Sequence, residues 1–455
     1  MRTWMCAAAL AIGCVSAQGQ EPYLIADLDR RTPSDPGEAV RLGARFLFHA
    51  GIAGAEYGRE LWVTDGSPAG TRLVRDINPG PASSVEDRGN QIAAGNVMFF
   101  AADDGVSGRE LWVSDGTDEG TRLVRDIAPG AAGSAPLEFV LAGERCFLTA
   151  DDGVNGRELW VSDGTVEGTR LLRDIAPGPS GSNPYKAIVW SDRLFFAADD
   201  GVHGREPWVS DGTEAGTFLL ADVLPGAGGG RPTWGSAFAE RLFFTADDGE
   251  RGRQLWVTDG TAAGTRLFVD VSPFRAADLT GEACRLYAHA GLLFFSGDNG
   301  VSDTALWCTD GTAEETRLLR TFAYGTWVPT IPSLLGSIGE RVLFYAGEGD
   351  SDRALWISDG TAEGTYPLAD ICRWGGRYPA VCAAAGDKVY FSGACDPYDT
   401  LWVSDGTPDG TLCLSSSMSA PEAFTPFGGQ FYFSAWVAGS GRELCVCDGT
   451  EAGTG

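Results

Sequence analysis

Gly108-Arg-Glu-Leu-Trp-Val-Ser-Asp-Gly-Thr117 decides how this chain of 455 residues is read. Glu110 to Ser114 alternates as a half-buried strand does, and Asp115-Gly-Thr117 breaks the run with a turn. Versions of this string recur nine times, at intervals of 43 to 51 residues. The anchor tryptophans are Trp62, Trp112, Trp160, Trp208, Trp256, Trp307, Trp356 and Trp402, and Cys445 stands in the ninth place. A fixed period of that size means one supersecondary unit used over and over.

The third unit shows the strands most clearly. A weak run opens at Pro136, Arg145–Ala150 is a β run, and Asp151-Asp-Gly-Val-Asn-Gly156 is a turn. Glu158–Ser162 is the anchor strand, and Arg170–Ile175 is a further run ended by Pro177-Gly178. No 3.6-residue periodicity competes. Four antiparallel strands in about 48 residues match one β-propeller blade.

The ends predict closure. Tyr23-Leu-Ile-Ala-Asp-Leu28 aligns with Arg72-Leu-Val-Arg-Asp-Ile77, the last strand of a unit, and the chain stops after Asp448–Thr454, where that strand would follow. The expected fold is therefore all-β, a closed propeller of about nine four-stranded blades, with the N-terminal strand completing the last. Residues 1–17 read as a signal peptide, with a basic start at Arg2, an apolar stretch and Val15-Ser-Ala17 as the cleavage site, which leaves 18–455 as one domain. Lipidation at Cys14, after Leu10-Ala-Ile-Gly13, is the alternative. No later segment has about 20 consecutive apolar residues, so no transmembrane helix is expected.

The 62 acidic residues outnumber 34 basic ones, of which only Lys186 and Lys388 are lysines, for a formal charge of −28. Such a surface repels phosphate backbones and argues against a nucleic-acid partner. Eight of the eleven cysteines lie beyond residue 280, and Cys372 with Cys382, flanking one loop, is the expected disulfide in an exported chain.

At Glu-Leu-Trp-x-x-Asp-Gly-Thr the chain resembles the ELWxxDGT-repeat family of exported bacterial proteins. The resemblance covers nearly all of the mature chain, is strongest at 108–117, 156–165 and 204–213, and fades at Thr304–Trp307, Asp399–Trp402 and Glu443–Cys445. It implies a repetitive all-β fold and export, and no particular activity.

Candidate sites divide by type. The anchor tryptophans suit burial between neighbouring sheets, each hiding roughly 150–250 Å². The Asp of each Asp-Gly-Thr suits a turn-former, and Arg109-Glu110, Arg157-Glu158 and Arg205-Glu206 read as an ion-pair ladder. The acidic turns Asp103-Asp104, Asp151-Asp152, Asp199-Asp200 and Asp247-Asp248 are the candidate calcium ligands, each supplying few of the six to eight oxygens that Ca²⁺ takes. Variable loops carry Tyr185, Trp234, Trp327, Trp374 and Tyr378, candidates for a ligand-binding face. Only His49, His203 and His289 are histidines, they fall in different units, and no nucleophile or metal motif emerges.

The expected function is a non-catalytic exported binding or scaffold protein engaging a protein or glycan at the loop-rich face. A carboxylate-dependent polysaccharide hydrolase or lyase at that face and a calcium-stabilised surface protein are the alternatives. A polar cluster that breaks the symmetry of the repeat would mark the difference.

Overall fold

The computed structural model describes residues 40–447 apart from short interruptions, the longest at 275–285, 323–331 and 373–381. Among the described residues the chain forms nine antiparallel sheets. Sheets one to eight have four strands each, at 40–75, 91–125, 137–173, 185–219, 233–274, 287–322, 333–372 and 382–413; sheet nine has three, at 418–447. Strand order within every sheet follows the chain, so each is a meander, the repeated unit of a β-propeller. The contacts divide the chain into two compact units, chiefly residues 23–233 and 234–455.

One sheet cannot bury its own faces, and the anchor tryptophans show why. In sheet three, Trp160 pairs with Leu148, and in sheets two and four Trp112 and Trp208 pair with Phe100 and Phe196. Trp160 packs with Phe99, Leu111 and Val113 of the preceding sheet, and Trp208 with Phe147, Leu159 and Val161. In the second unit Trp356 packs with Phe294 and Leu306 of sheet six. Trp112, Trp160, Trp208 and Trp356 are only 4–5% exposed, whereas Trp62, Trp256, Trp307 and Trp402 are half-buried. The indole N–H of every one except Trp62 is buried without an acceptor among the described residues, so these rings act by area and shape.

Arginine forms the polar half of the same joint. Arg122 and Arg125, on strand four of sheet two, donate to the carbonyls of Gly164 (2.7 Å) and Thr169 (2.6 Å) in sheet three. Arg170 and Arg173 repeat this on Gly212 and Thr217 of sheet four, and Arg72 and Arg75 on Gly116 and Thr121 of sheet two. The guanidinium carbons of Arg125, Arg173 and Arg320 also lie 6.0, 5.9 and 5.0 Å from the ring centroids of Trp160, Trp208 and Trp356. A planar fork can bond a carbonyl and cover a ring together, which a lysine cannot. This use accounts for arginine's dominance of the basic residues.

The Asp-Gly-Thr turn is closed by its own side chains. Asp163 Oδ1 accepts from Thr165 N (2.9 Å) and Thr165 Oγ1 (2.7 Å), and Thr165 Oγ1 accepts from Gly168 N (3.0 Å). Gly164 has φ +84°, and a Cβ on Gly168 would lie 2.0 Å from Asp163 Oδ1, so both glycines are required. A hydroxyl pair, Ser162 Oγ to Thr169 Oγ1 at 2.7 Å, ties the end of the anchor strand to the start of the next.

Candidate functional site

The Glu of Glu-Leu-Trp has a different role from the ladder expected of it. Glu60, Glu110, Glu158 and Glu206 are all 0% exposed, and what they bind is backbone. Glu110 Oε2 accepts from Ile127 N (3.1 Å) and Ser134 Oγ (2.5 Å), and its Oε1 from Ala128 N (3.0 Å) and Ser134 N (2.8 Å). Glu60, Glu158 and Glu206 do the same for Ile77 and Ser84, for Ala176 and Ser182, and for Val223, Leu224 and Gly230. Each carboxylate thus gathers both ends of the linker that leads to the next sheet.

In sheets one to seven this capture goes with a short fourth strand, although sheet eight has a two-residue fourth strand with Thr400 at the Glu position. In sheets one to three that strand stops after four residues, at Arg75, Arg125 and Arg173, short of the run expected to Ile175. Sheets five to seven carry Gln254, Ala305 and Ala354 at the Glu position, and their fourth strands run nine, six and seven residues. Gln254 turns its Nε2 onto Arg251 O (3.1 Å) instead. Burial pushes all four glutamates above the usual carboxylate range, to about 6 for Glu60 and Glu206.

The acidic turns hold their own backbone. Asp104 Oδ1 accepts from Val106 N (2.9 Å) and Ser107 N (2.7 Å), and Asp103 Oδ1 from Gly105 N (2.7 Å). Asp151 and Asp152, Asp199 and Asp200, and Asp247 and Asp248 repeat the pattern, with Asp200 also pairing His203 and Asp248 pairing Arg251. Burial pushes Asp104, Asp152, Asp200 and Asp248 up, but the donors of their own turns outweigh it and hold them below the usual range. No group of three or more His, Cys, Asp or Glu converges among the described residues. In these turns the Oδ1 atoms of the eight aspartates cap the hairpins that carry them.

Of the five aromatic candidates, only Tyr185 has a described side chain. Tyr185 opens the first strand of sheet four, its ring covered by Arg205 at 4.6 Å and Lys186 at 5.6 Å. Trp234 lies in a strand, but its side chain falls outside the described residues, as do Trp327, Trp374 and Tyr378 altogether. Cys372 ends one strand and Cys382 begins the next, their side chains likewise outside the described residues, while Cys146 and Cys308 are free thiols. Residues 1–39, with the signal segment, Cys14 and Tyr23–Leu28, also lie outside. No helix among the described residues is long and apolar enough to cross a membrane.

One cluster does break the repeat. His49, in strand two of sheet one, stands where the following sheets carry Ala101, Thr149, Ala197 and Thr245. It is 5% exposed, its Nε2 is buried without a hydrogen-bond partner, and its ring lies 5.6 Å from Phe100 of sheet two. Arg59 reaches back to His49 O (3.4 Å) from a position opposite Gly51, where sheets two to four place an aspartate. Burial, then Arg59, holds the imidazole down to about 3; Gln91 opposes this and Arg109 adds to it. His49 is therefore a neutral, buried imidazole between guanidinium groups, in a chain whose formal charge is −28. A lone histidine has no motif; the signal was its departure from the Ala, Thr or Ser that most other units carry there, sheet seven having Tyr345.

No family model and no curated protein matches the chain. Solved structures similar to it include the β-propeller domain of the Trilobed protease from Pyrococcus furiosus, described as having an open velcro topology. That match has 12% identity and TM-score 0.35, covering 69% of this chain and 95% of that one. A puromycin-hydrolyzing peptidase from Mycobacterium tuberculosis matches at 13% identity and TM-score 0.40, covering 88% and 58%. An acylaminoacyl peptidase from Pyrococcus horikoshii matches at 14% identity and TM-score 0.34, covering 79% and 51%. The chain spans little more than half the length of these two peptidases.

These findings correct the expected function. The similar structures include peptidases and the propeller domain of one, at 12–14% identity, and the non-catalytic scaffold is not carried further. The most buried repeat carboxylates are tied to linker backbone and those of the acidic turns to their own loops.

Proposed function

We propose that this chain is a closed nine-bladed propeller that recognises a compact anionic group at the His49 cluster between blades one and two. The observation that carries the reading is the symmetry break itself. His49 stands where most blades carry Ala, Thr or Ser, and it is set with Gln91 beside Arg59 and Arg109, the arginines that most blades repeat. Guanidinium forks match carboxylate and phosphate oxygens, and a neutral imidazole can take up a proton as the anion arrives. The ligand chemistry is thus a carboxylate or inorganic phosphate.

Three histidines make the test direct. In ¹⁵N-histidine NMR one imidazole is expected to stay neutral to about pH 3, and that signal alone should move on titration with succinate or with inorganic phosphate. Saturation at about 100 times Kd should also stabilise the fold by roughly 2.7 kcal/mol, and Arg109→Gln should abolish both responses. An unmoved His49 signal with an unchanged melting temperature for both anions rejects the reading; a response to only one names the source.

Closure has support of its own. Blades one to four carry a Glu together with a downstream Asp-Ile or Asp-Val before Pro-Gly; blades five to eight lack the Glu and the Pro-Gly, although blades five and seven keep Asp270-Val271 and Asp370-Ile371. Blade nine has Glu443, and Asp27-Leu28 lies in the segment whose pattern suits its fourth strand. The register Trp160 to Leu171 in sheet three translates to Cys445 opposite Leu24. Leu24→Cys is expected to form a 24–445 disulfide in a non-reduced digest, and Ile25→Cys, on the opposite strand face, is not. A Leu24→Cys thiol that stays alkylatable removes the ring.

A further inference from the structure

In the first unit, the four buried glutamates share a geometry that only one other side chain modifies. Each joins the beginning of a linker to its end, 17 and 24 residues away in the case of Glu60, and each is sealed from solvent. Around Glu60 the hydrogen bonds can run in either sense. Ser84 Oγ lies 2.7 Å from Glu60 Oε2 and 3.3 Å from Arg59 O, so it can donate to an ionised carboxylate. Once the carboxyl is protonated, its O–H donates to Ser84 Oγ, which donates onward to Arg59 O. The linker is therefore held in both protonation states, but only one of them puts a charge out of reach of water.

We propose that these glutamates form a proton-responsive latch, holding the linkers of the first unit more tightly at mildly acidic than at neutral or alkaline pH. The groups facing Glu60 are Asp76 on the linker and the donors of Ile77 and Ser84. Those around Glu206 are Asp222 and the donors of Val223, Leu224 and Gly230, with His203 on the adjoining turn sensing Glu206 and Asp222. At Glu110 and Glu158 the effects are burial and donors alone. Both aspartates act in the direction of burial, disfavouring a second negative charge.

The sign follows. A carboxyl raised from 4.5 in the unfolded chain to about 6 in the fold binds its proton more tightly when folded. Its contribution is complete below pH 4.5 and is lost as pH rises through 6. A shift of that size corresponds to about a 30-fold change in the opening equilibrium.

Hydrogen exchange of residues 76–85, corrected for the intrinsic pH dependence, reads this out. Protection is expected to rise about 8-fold between pH 7.5 and 5 in the native chain. Glu60→Gln should flatten the profile even if it lowers protection throughout. Ser84→Ala should keep the profile and move its midpoint upward, because an ionised Glu60 loses a donor. Protection that is flat or falls on acidification, or a Glu60→Gln profile with the native slope, overturns the latch.

Discussion

Trp208→Ala is expected to destabilise the first unit by about 3–5 kcal/mol, the usual range for emptying a packed indole site. The ring is 4% exposed, within a cluster that includes Phe147, Leu159, Val161, Leu172 and Phe196. Most of those neighbours belong to the preceding sheet, so the cavity opens in a joint between sheets. Arg173 would also lose the ring it covers, although its bond to Thr217 O could persist. For a unit of some 200 residues, the melting temperature should fall on the order of 10 °C. Trp208→Phe should cost only about 1–2 kcal/mol, because the indole N–H has no acceptor to lose. Thermal unfolding followed by circular dichroism checks both. A loss below about 1 kcal/mol for the alanine variant would show that the repeated tryptophan does not cement the sheets.

Glu158→Ala should be almost as damaging, for a different reason. It removes no apolar contact of note, but it strands the buried N–H groups of Ile175, Ala176 and Ser182 and the Ser182 hydroxyl. Each stranded donor costs roughly 1–3 kcal/mol unless water reaches it, so a total of at least about 3 kcal/mol is expected after relaxation. Alanine does occupy this place in sheets six and seven, as Ala305 and Ala354, where the fourth strand continues and supplies ladder bonds instead. In sheet three the fourth strand ends at Arg173, and Ala176 and Ser182 donate to Glu158, so those ladder bonds are not already in place. Limited proteolysis of 174–183 alongside urea denaturation would locate the damage. A variant as stable as the native chain, with its linker still protected, would mean that Glu158 is incidental.

Local features of this fold were legible because they depend on near neighbours. Alternation in Glu-Leu-Trp-Val-Ser, the Asp-Gly-Thr turn with its bonds over two and three residues, and the acidic hairpins all rest on short-range chemistry. The glutamates were misread because their partners lie 17 to 24 residues downstream, beyond any pairwise pattern of adjacent charges. Even so, the repeat held a usable signal. Every unit of blades one to four with Glu also has Asp-Ile or Asp-Val before Pro-Gly, and Gln254, Ala305, Ala354 and Thr400 occur where that string is absent. His49 needed the same comparison across units, since its chemistry comes from Arg59 and Gln91, which other strands bring to it.

What the sequence determined unaided is the unit: four short strands, turn chemistry that closes by itself, and one large ring per repeat that no single sheet could bury. Tertiary structure alone decided what the charged residues are for. Arginines became clamps on the next sheet, glutamates became anchors for linkers, and one histidine became a neutral group among cations. The physical reason is that a charge takes its role from burial and from partners brought by distant strands, whereas a turn or an alternating strand carries its partners within a few residues of itself.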